Sequence, residues 1–199
     1  MRAHVTGGSG FLGGHVIPLL VARGHDVSAL ARSRTAAARV ERLGATAVPG
    51  DLDEPASIDA AFAASEAEVL VNLASLGFGH APTIVAAAEE AGLRRAVFVS
   101  TTSIFTMLDT ASKPVRRAAE DTVRASTLDW TILRPGRLTD KPGIGRVRLA
   151  GHTGRGAVPR DDVAAVLLAL LDTRVARMTL ELVSGDTPVD EAVRALASA

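Results

Sequence analysis

The stretch VTGGSGFLGG (5–14) constrains the fold of this chain more than any other. A short apolar strand, Arg2 to Thr6, runs directly into a turn holding Gly7, Gly10 and Gly13 at intervals of three. An apolar pattern at helical spacing, 11–22, follows at once. A strand, a tight glycine turn and a helix bring free N–H groups and the positive end of a helix dipole to one spot. That spot suits a phosphate, and missing Cβ atoms let a pyrophosphate lie against the main chain. Glycine spacing alone is a weak signal; placed between a strand and a helix it is a strong one. Thr6, Gly7, Ser9, Gly10, Phe11, Leu12 and Gly13 lie in this turn, which can also be a tight βα turn without ligand.

The rest of the chain alternates strand and helix. Strands are expected near 2–6, 25–31, 45–49, 68–74, 94–100, 129–134 and 179–183, and helices near 11–22, 35–43, 56–64, 80–91, 113–126, 160–172 and 188–197. Such alternation predicts an α/β fold, a doubly wound parallel sheet with helices on both faces. AVFVS (96–100) is apolar without interruption, as a strand buried on both faces must be. With no repeat, linker or low-complexity tract, 1–199 reads as a single domain. Leu138 to Pro159, rich in glycine, is the one irregular stretch, either a lid on the substrate side or a plain β-excursion with a short edge strand at GRVRLA (145–150).

Composition removes several function classes. Lys plus Arg and Asp plus Glu both number 22, so no global field attracts nucleic acid or an anionic membrane. The apolar run Val163 to Leu171 is about half a membrane span. Nothing at the start resembles a signal peptide, and cysteine is absent, which fits a cytoplasmic protein and leaves no thiol chemistry. Scattered His80 and His152 and the pair Asp161–Asp162 read as surface and helix-capping features, and no metal site is expected. The expected partner is a small-molecule substrate, and a homodimer is left open.

The second strand ends at ALARSR (29–34), about 20 residues past the glycine turn, where an acid commonly accepts the ribose 2′-OH of NAD. Here Arg32, Ser33 and Arg34 stand instead, either a pocket for the 2′-phosphate of NADP or solvated arginines at a helix start. Asp51-Leu52, at the end of the third strand, can hold an adenine amine and cover its ring, or cap a helix. The fourth strand ends LVNLAS (70–75), and Asn72, Ala74 and Ser75 are small enough for the main chain to approach a ribose.

The glycine turn, Asp51-Leu52, VNLAS, VFVSTTSIF and LDWTILRPG (128–136), in this order, resemble the short-chain dehydrogenase/reductase superfamily. The chain is most similar to its atypical and extended branches, with epimerase-like or NmrA-like members. The resemblance runs from residue 1 to about 190 and includes PRDDVAAVLLALL (159–171). It implies an NAD(P)-binding Rossmann fold with Thr6 to Gly13 on the pyrophosphate and Pro135-Gly136 near the nicotinamide.

Active members of that superfamily use a strand-end Ser or Thr and a Tyr-x-x-x-Lys helix. Thr102 best matches the hydroxyl residue, with Thr101 and Ser103 beside it; these hydroxyls serve either nearby backbone or a ligand. Aligning the next helix by Glu120 places Ser112 where tyrosine belongs and Arg116 where lysine belongs, with Lys113 close by. The chain contains no tyrosine, so no other alignment restores one. Extended-type members carry a larger C-terminal substrate domain, whereas only about 60 residues follow RPG here, which would leave a nucleotide sugar little to hold it. The leading expectation is an NADP-dependent oxidoreductase that passes hydride to a flavin, quinone or related conjugated carbonyl. A dinucleotide-sensing regulator and a sugar-nucleotide epimerase or dehydratase are the alternatives.

Overall fold

A computed structural model describes residues 1–102 and 113–197. Along the chain lie β1 (Arg2–Thr6), α1 (Gly13–Ala22), β2 (Asp26–Ala31), α2 (Arg34–Arg42), β3 (Thr46–Pro49), α3 (Pro55–Ser65) and β4 (Val69–Asn72). A 3-10 turn (Leu76–Phe78), α4 (Ala81–Glu90), β5 (Arg95–Val99), α5 (Lys113–Ala125) and β6 (Asp129–Pro135) follow. Then come β7 (Arg137–Thr139), β8 (Arg146–Ala150), β9 (Ala157–Pro159), α6 (Arg160–Leu171), β10 (Met178–Ser184), β11 (Thr187–Pro188) and α7 (Val189–Ala197).

The main sheet has the order β11-β8-β10-β6-β5-β4-β1-β2-β3. From β3 to β10 every pairing is parallel, and β8 runs antiparallel between β10 and β11. Strand order reverses at β1, which pairs with β2 on one side and β4 on the other. Parallel strands on both sides of such a point send their connections to opposite faces, which opens a crevice at their carboxyl ends. This is the doubly wound fold expected from the alternation.

Strand residues divide between two cores at the two-residue period. Val5, Val71, Val97 and Leu133 pack with residues of α1, α6 and α7. Leu70, Phe98 and Ile132 pack with Ile58 and Phe62 of α3 and with Ile84 of α4. In the uninterrupted apolar strand, Ala96, Val97 and Phe98 are all buried.

Segment 138–159 is a β-excursion. β7 and β9 pair in a small parallel sheet of their own, and β8 joins the main sheet. The segment is pinned to the start of α6: Asp162 accepts bonds from the N–H groups of Ile144 (3.1 Å) and Gly145 (2.8 Å), and Asp161 from that of Gly143 (3.1 Å). This corrects the capping expectation for the acid pair. α6 has no side-chain cap bond, and Asp162 is only 2% exposed because it serves another segment's backbone. His152 is on the surface as expected, yet lies 3.1 Å from the buried carboxylate of Glu181.

Candidate functional site

At the switch point, the end of β1 is tied to the end of β4. Thr6 Oγ1 donates to Asn72 Oδ1 at 2.5 Å, and Asn72 Nδ2 donates to the Ala74 carbonyl at 3.0 Å. Both side chains are fully buried, so Thr6 and Asn72 shape the crevice without facing it. Gly7 has φ +72°, and a Cβ there would lie 2.6 Å from the Ala74 nitrogen. The Gly10 N–H donates to the Gly7 carbonyl at 3.0 Å and closes the turn.

The three glycines do different work. A Cβ at Gly13 would stand 1.9 Å from the Gly8 carbonyl oxygen, so this glycine lets α1 pack against the turn. A Cβ added at Gly10 would meet, among the described residues, only the Gly7 carbonyl oxygen within 4 Å, at 3.1 Å, and the residue is exposed. Leu12 enters the core, whereas Phe11 is 78% exposed beside the turn.

A trench of about 390 Å³ crosses the crevice. Gly7, Ser9 and Gly10 line one part, and Arg32, Asp51 and Leu52 another, with Ala74 and Ser75 opposite. His80, expected on the surface, lines the trench too, 3.7 Å from Asp53. Beyond Arg32 a second cavity of about 500 Å³ is lined by Arg32, Ser33, Arg34, Asp51 and Glu54. Arg32, Gly50 and Asp51 line both cavities, so the two lie side by side across these residues. Ser33 Oγ accepts the Ala36 N–H at 3.2 Å and caps α2, which presents Arg32 and Arg34 on either side of a helix start. Asp51 Oδ1 accepts the Asp53 N–H at 3.2 Å, so it closes a turn while lining both cavities.

The other end of the crevice is formed by β5 and β6. Thr102 Oγ1 donates to the Pro135 carbonyl at 3.3 Å. Next to Pro135, the Gly136 N–H donates to Leu182 at 2.8 Å, and a Cβ at Gly136 would lie 2.5 Å from the Gly156 oxygen. Gly136 is thus buried against the β9 side. Thr101 is half-buried just before Thr102. Arg116 lies over the 3-10 turn: a Cβ at Gly77 would be 3.1 Å from Arg116 Nε and 3.3 Å from Ser75 Oγ. Ser112 and Ser103 lie outside the described residues.

Beneath the strand end is a charge cluster that the sequence does not announce. Glu120, 1% exposed, accepts bonds from Ser100 Oγ (2.7 Å), Arg134 Nε (2.9 Å), Arg134 Nη2 and Arg124 Nη2 (2.7 Å). Burial pushes its pKa up, but the bonds from Arg134 and Ser100, with the Arg134 charge and Arg124, outweigh burial and hold it below the usual carboxylate range. Ser100 leads straight into Thr101 and Thr102, so this cluster positions the hydroxyl end of β5.

A trench lined by the glycine turn and Arg32, with Arg34 in the adjoining cavity, fits an elongated anionic ligand. The NAD(P)H-binding family model matches residues 7–174. The chain belongs to this NAD(P)H-binding family. Its likeness extends along the whole chain to a protein of Bacillus subtilis named an uncharacterized sugar epimerase, 30% identical over 214 residues, covering 98% of this chain and 100% of the relative. Among solved structures, a putative NAD-dependent epimerase/dehydratase from Bacillus halodurans matches with a TM-score of 0.87 at 25% identity, over 98% of this chain and 100% of that one. ChuY, an anaerobillin reductase of Escherichia coli O157:H7, matches with a TM-score of 0.82 at 24% identity, over 94% and 98%, a likeness of fold alone. This NAD(P)H-binding protein is an atypical, epimerase-like member of the short-chain dehydrogenase/reductase superfamily. Among the described residues no helix is long and apolar enough to cross a membrane.

Proposed function

We propose that the protein is an NADP-dependent oxidoreductase that passes hydride from the nicotinamide to a conjugated acceptor such as a flavin, quinone or related carbonyl. One observation carries the reading: a trench lined by the glycine turn and Arg32 stands in a chain of 199 residues without a single tyrosine.

The residues present fit the cofactor. The bare surface at Gly10 and the N-terminal N–H groups of α1 can take the diphosphate. Arg32 and Arg34, with only Ser33 between them in sequence, suit a 2′-phosphate, while Asp51 and Glu54 line the same cavity from the β3 side. When bound, the reduced nicotinamide supplies a hydride.

The acceptor chemistry follows from what the chain can do with protons. An isolated ketone becomes an alkoxide, which needs a well-placed acid as it forms. A serine hydroxyl at 112 is a poor acid, and Arg116 stays charged and releases no proton. In a conjugated acceptor the new charge spreads over several atoms and takes its proton from water. Thr102 can stabilise that charge, because its bond to Pro135 is long, at 3.3 Å, and easily exchanged for an acceptor oxygen. Catalysis then rests mainly on holding donor and acceptor together.

The test follows NADPH absorbance against flavins, quinones, aldehydes and sugar nucleotides. Turnover confined to the conjugated acceptors supports the reading. Tight NADPH binding without turnover would replace it with a dinucleotide sensor, and conversion of a sugar nucleotide would replace it with an epimerase.

A further inference from the structure

Arg160 is not used by anything described so far. It is the first residue of α6, and its guanidinium sits 5.7 Å from the centre of the Phe11 ring. Phe11 directly follows Gly10 and is 78% exposed, so a large apolar ring stands in solvent beside the phosphate turn. The two helix starts are joined alongside, where His15 Nδ1 of α1 lies 2.7 Å from Asp161 Oδ1 of α6. Arg160 therefore reaches the phosphate turn from a helix fixed to it.

Two features of Arg160 are incomplete as they stand. Its Nε–H is buried and has no hydrogen-bond partner among the described residues. Buried donors are almost always satisfied, so an orphan of this kind calls for an explanation. Its charge is answered by Asp140, whose side chain is 85% exposed while that of Arg160 is only 17% exposed. A solvated carboxylate holds a guanidinium weakly, and a phosphate offers stronger, often bidentate bonds.

We infer that Arg160 is a second phosphate ligand of the dinucleotide, closing on its diphosphate from the Phe11 side while the N–H groups of α1 hold the other. The cation–π contact with Phe11 keeps the guanidinium beside the phosphate turn. Asp140 is then a parking place, which neutralises Arg160 until the cofactor arrives. The inference rests on the NADP reading proposed above, which 2′-AMP binding by the wild-type protein checks separately, and it holds for any acceptor.

Calorimetry with three ligands isolates the diphosphate: NADPH, ADP-ribose, which keeps the diphosphate, and 2′-AMP, which has a 2′-phosphate and no diphosphate. Arg160→Gln should weaken NADPH and ADP-ribose by about tenfold or more, the loss of a charge-assisted bond, and leave 2′-AMP within about twofold. Retained 2′-AMP binding also shows that the variant is folded. Asp140→Asn should leave NADPH affinity equal to wild type or tighter, since it frees Arg160. Unchanged NADPH and ADP-ribose affinity in Arg160→Gln would overturn the inference. So would equal losses for all three ligands, or a loss in Asp140→Asn matching that in Arg160→Gln, because either marks the pair as a structural staple.

Discussion

Glu120→Ala removes the acceptor of four hydrogen bonds at once, from Ser100, from two nitrogens of Arg134 and from Arg124. The site is 1% exposed at the carboxylate and 11% at the Arg134 side chain, so water cannot replace the lost partner without opening the fold. Breaking a buried pair from one side costs about 3–5 kcal/mol. With a urea dependence of about 2–3 kcal/mol per molar, the unfolding midpoint should fall by about 1–2.5 M. A change below about 0.3 M would refute the reasoning, because the cluster would then contribute no more than an exposed pair. Acid provides an independent check with Glu120→Gln. Because the folded pKa lies below the ordinary value of 4.5, the carboxylate's contribution is complete above 4.5 and is lost as pH falls through the folded value. The stability gap between wild type and Glu120→Gln should therefore narrow only below that pH. His4, pushed down to about 4 by burial, also costs stability in acid, beginning below 6.5, but equally in both proteins. A gap independent of pH would contradict the assignment.

Three further outcomes follow. Gly10→Val should abolish dinucleotide binding with little change in thermal midpoint, since the position opens onto the trench, whereas Gly13→Ala should destabilise the protein because its Cβ meets backbone at 1.9 Å. Calorimetry beside thermal melting separates the two, and wild-type NADPH affinity in a folded Gly10→Val protein would show the phosphate role to be misplaced. Arg32→Ala/Arg34→Ala should erase a preference for NADPH over NADH of roughly ten- to a hundredfold; equal wild-type affinities for the two cofactors would sink the 2′-phosphate assignment. Ser112→Ala should leave the rate with a conjugated acceptor within about twofold, as expected where catalysis rests on positioning; a larger loss would give Ser112 a proton-transfer role.

The parts of the fold and site that sequence could show are those written in contiguous residues. The glycine turn carries its strand and helix beside it, and the strand-helix alternation fixes the doubly wound sheet. Ser33 sits just before a helical pattern and does cap α2, while also lining the cavity between the arginines. What stayed hidden depends on residues that meet only in the folded chain. Thr6 looked like a ligand contact, but its hydroxyl is taken by Asn72, a strand partner brought next to it by the switch of strand order. Asp161 and Asp162 looked like caps because acids favour helix starts, and nothing local shows that the 143–145 backbone folds back onto them. Nothing beside Glu120 in the sequence points to Arg134; their bond exists because α5 packs beside β6. β7, β9 and β11 are two or three residues long, too short to carry a period.

The central claim is hydride transfer to a conjugated acceptor, and a deuterium isotope effect tests it most directly. NADPH and NADPH deuterated at the transferred position of the nicotinamide are oxidised by the wild-type protein with a water-soluble quinone, and in parallel with an unconjugated ketone. The account predicts oxidation of NADPH matched by hydroquinone formation, slowed by deuterium, with little or no turnover of the ketone. Robust reduction of the ketone, or no oxidation of NADPH by the quinone, would contradict it.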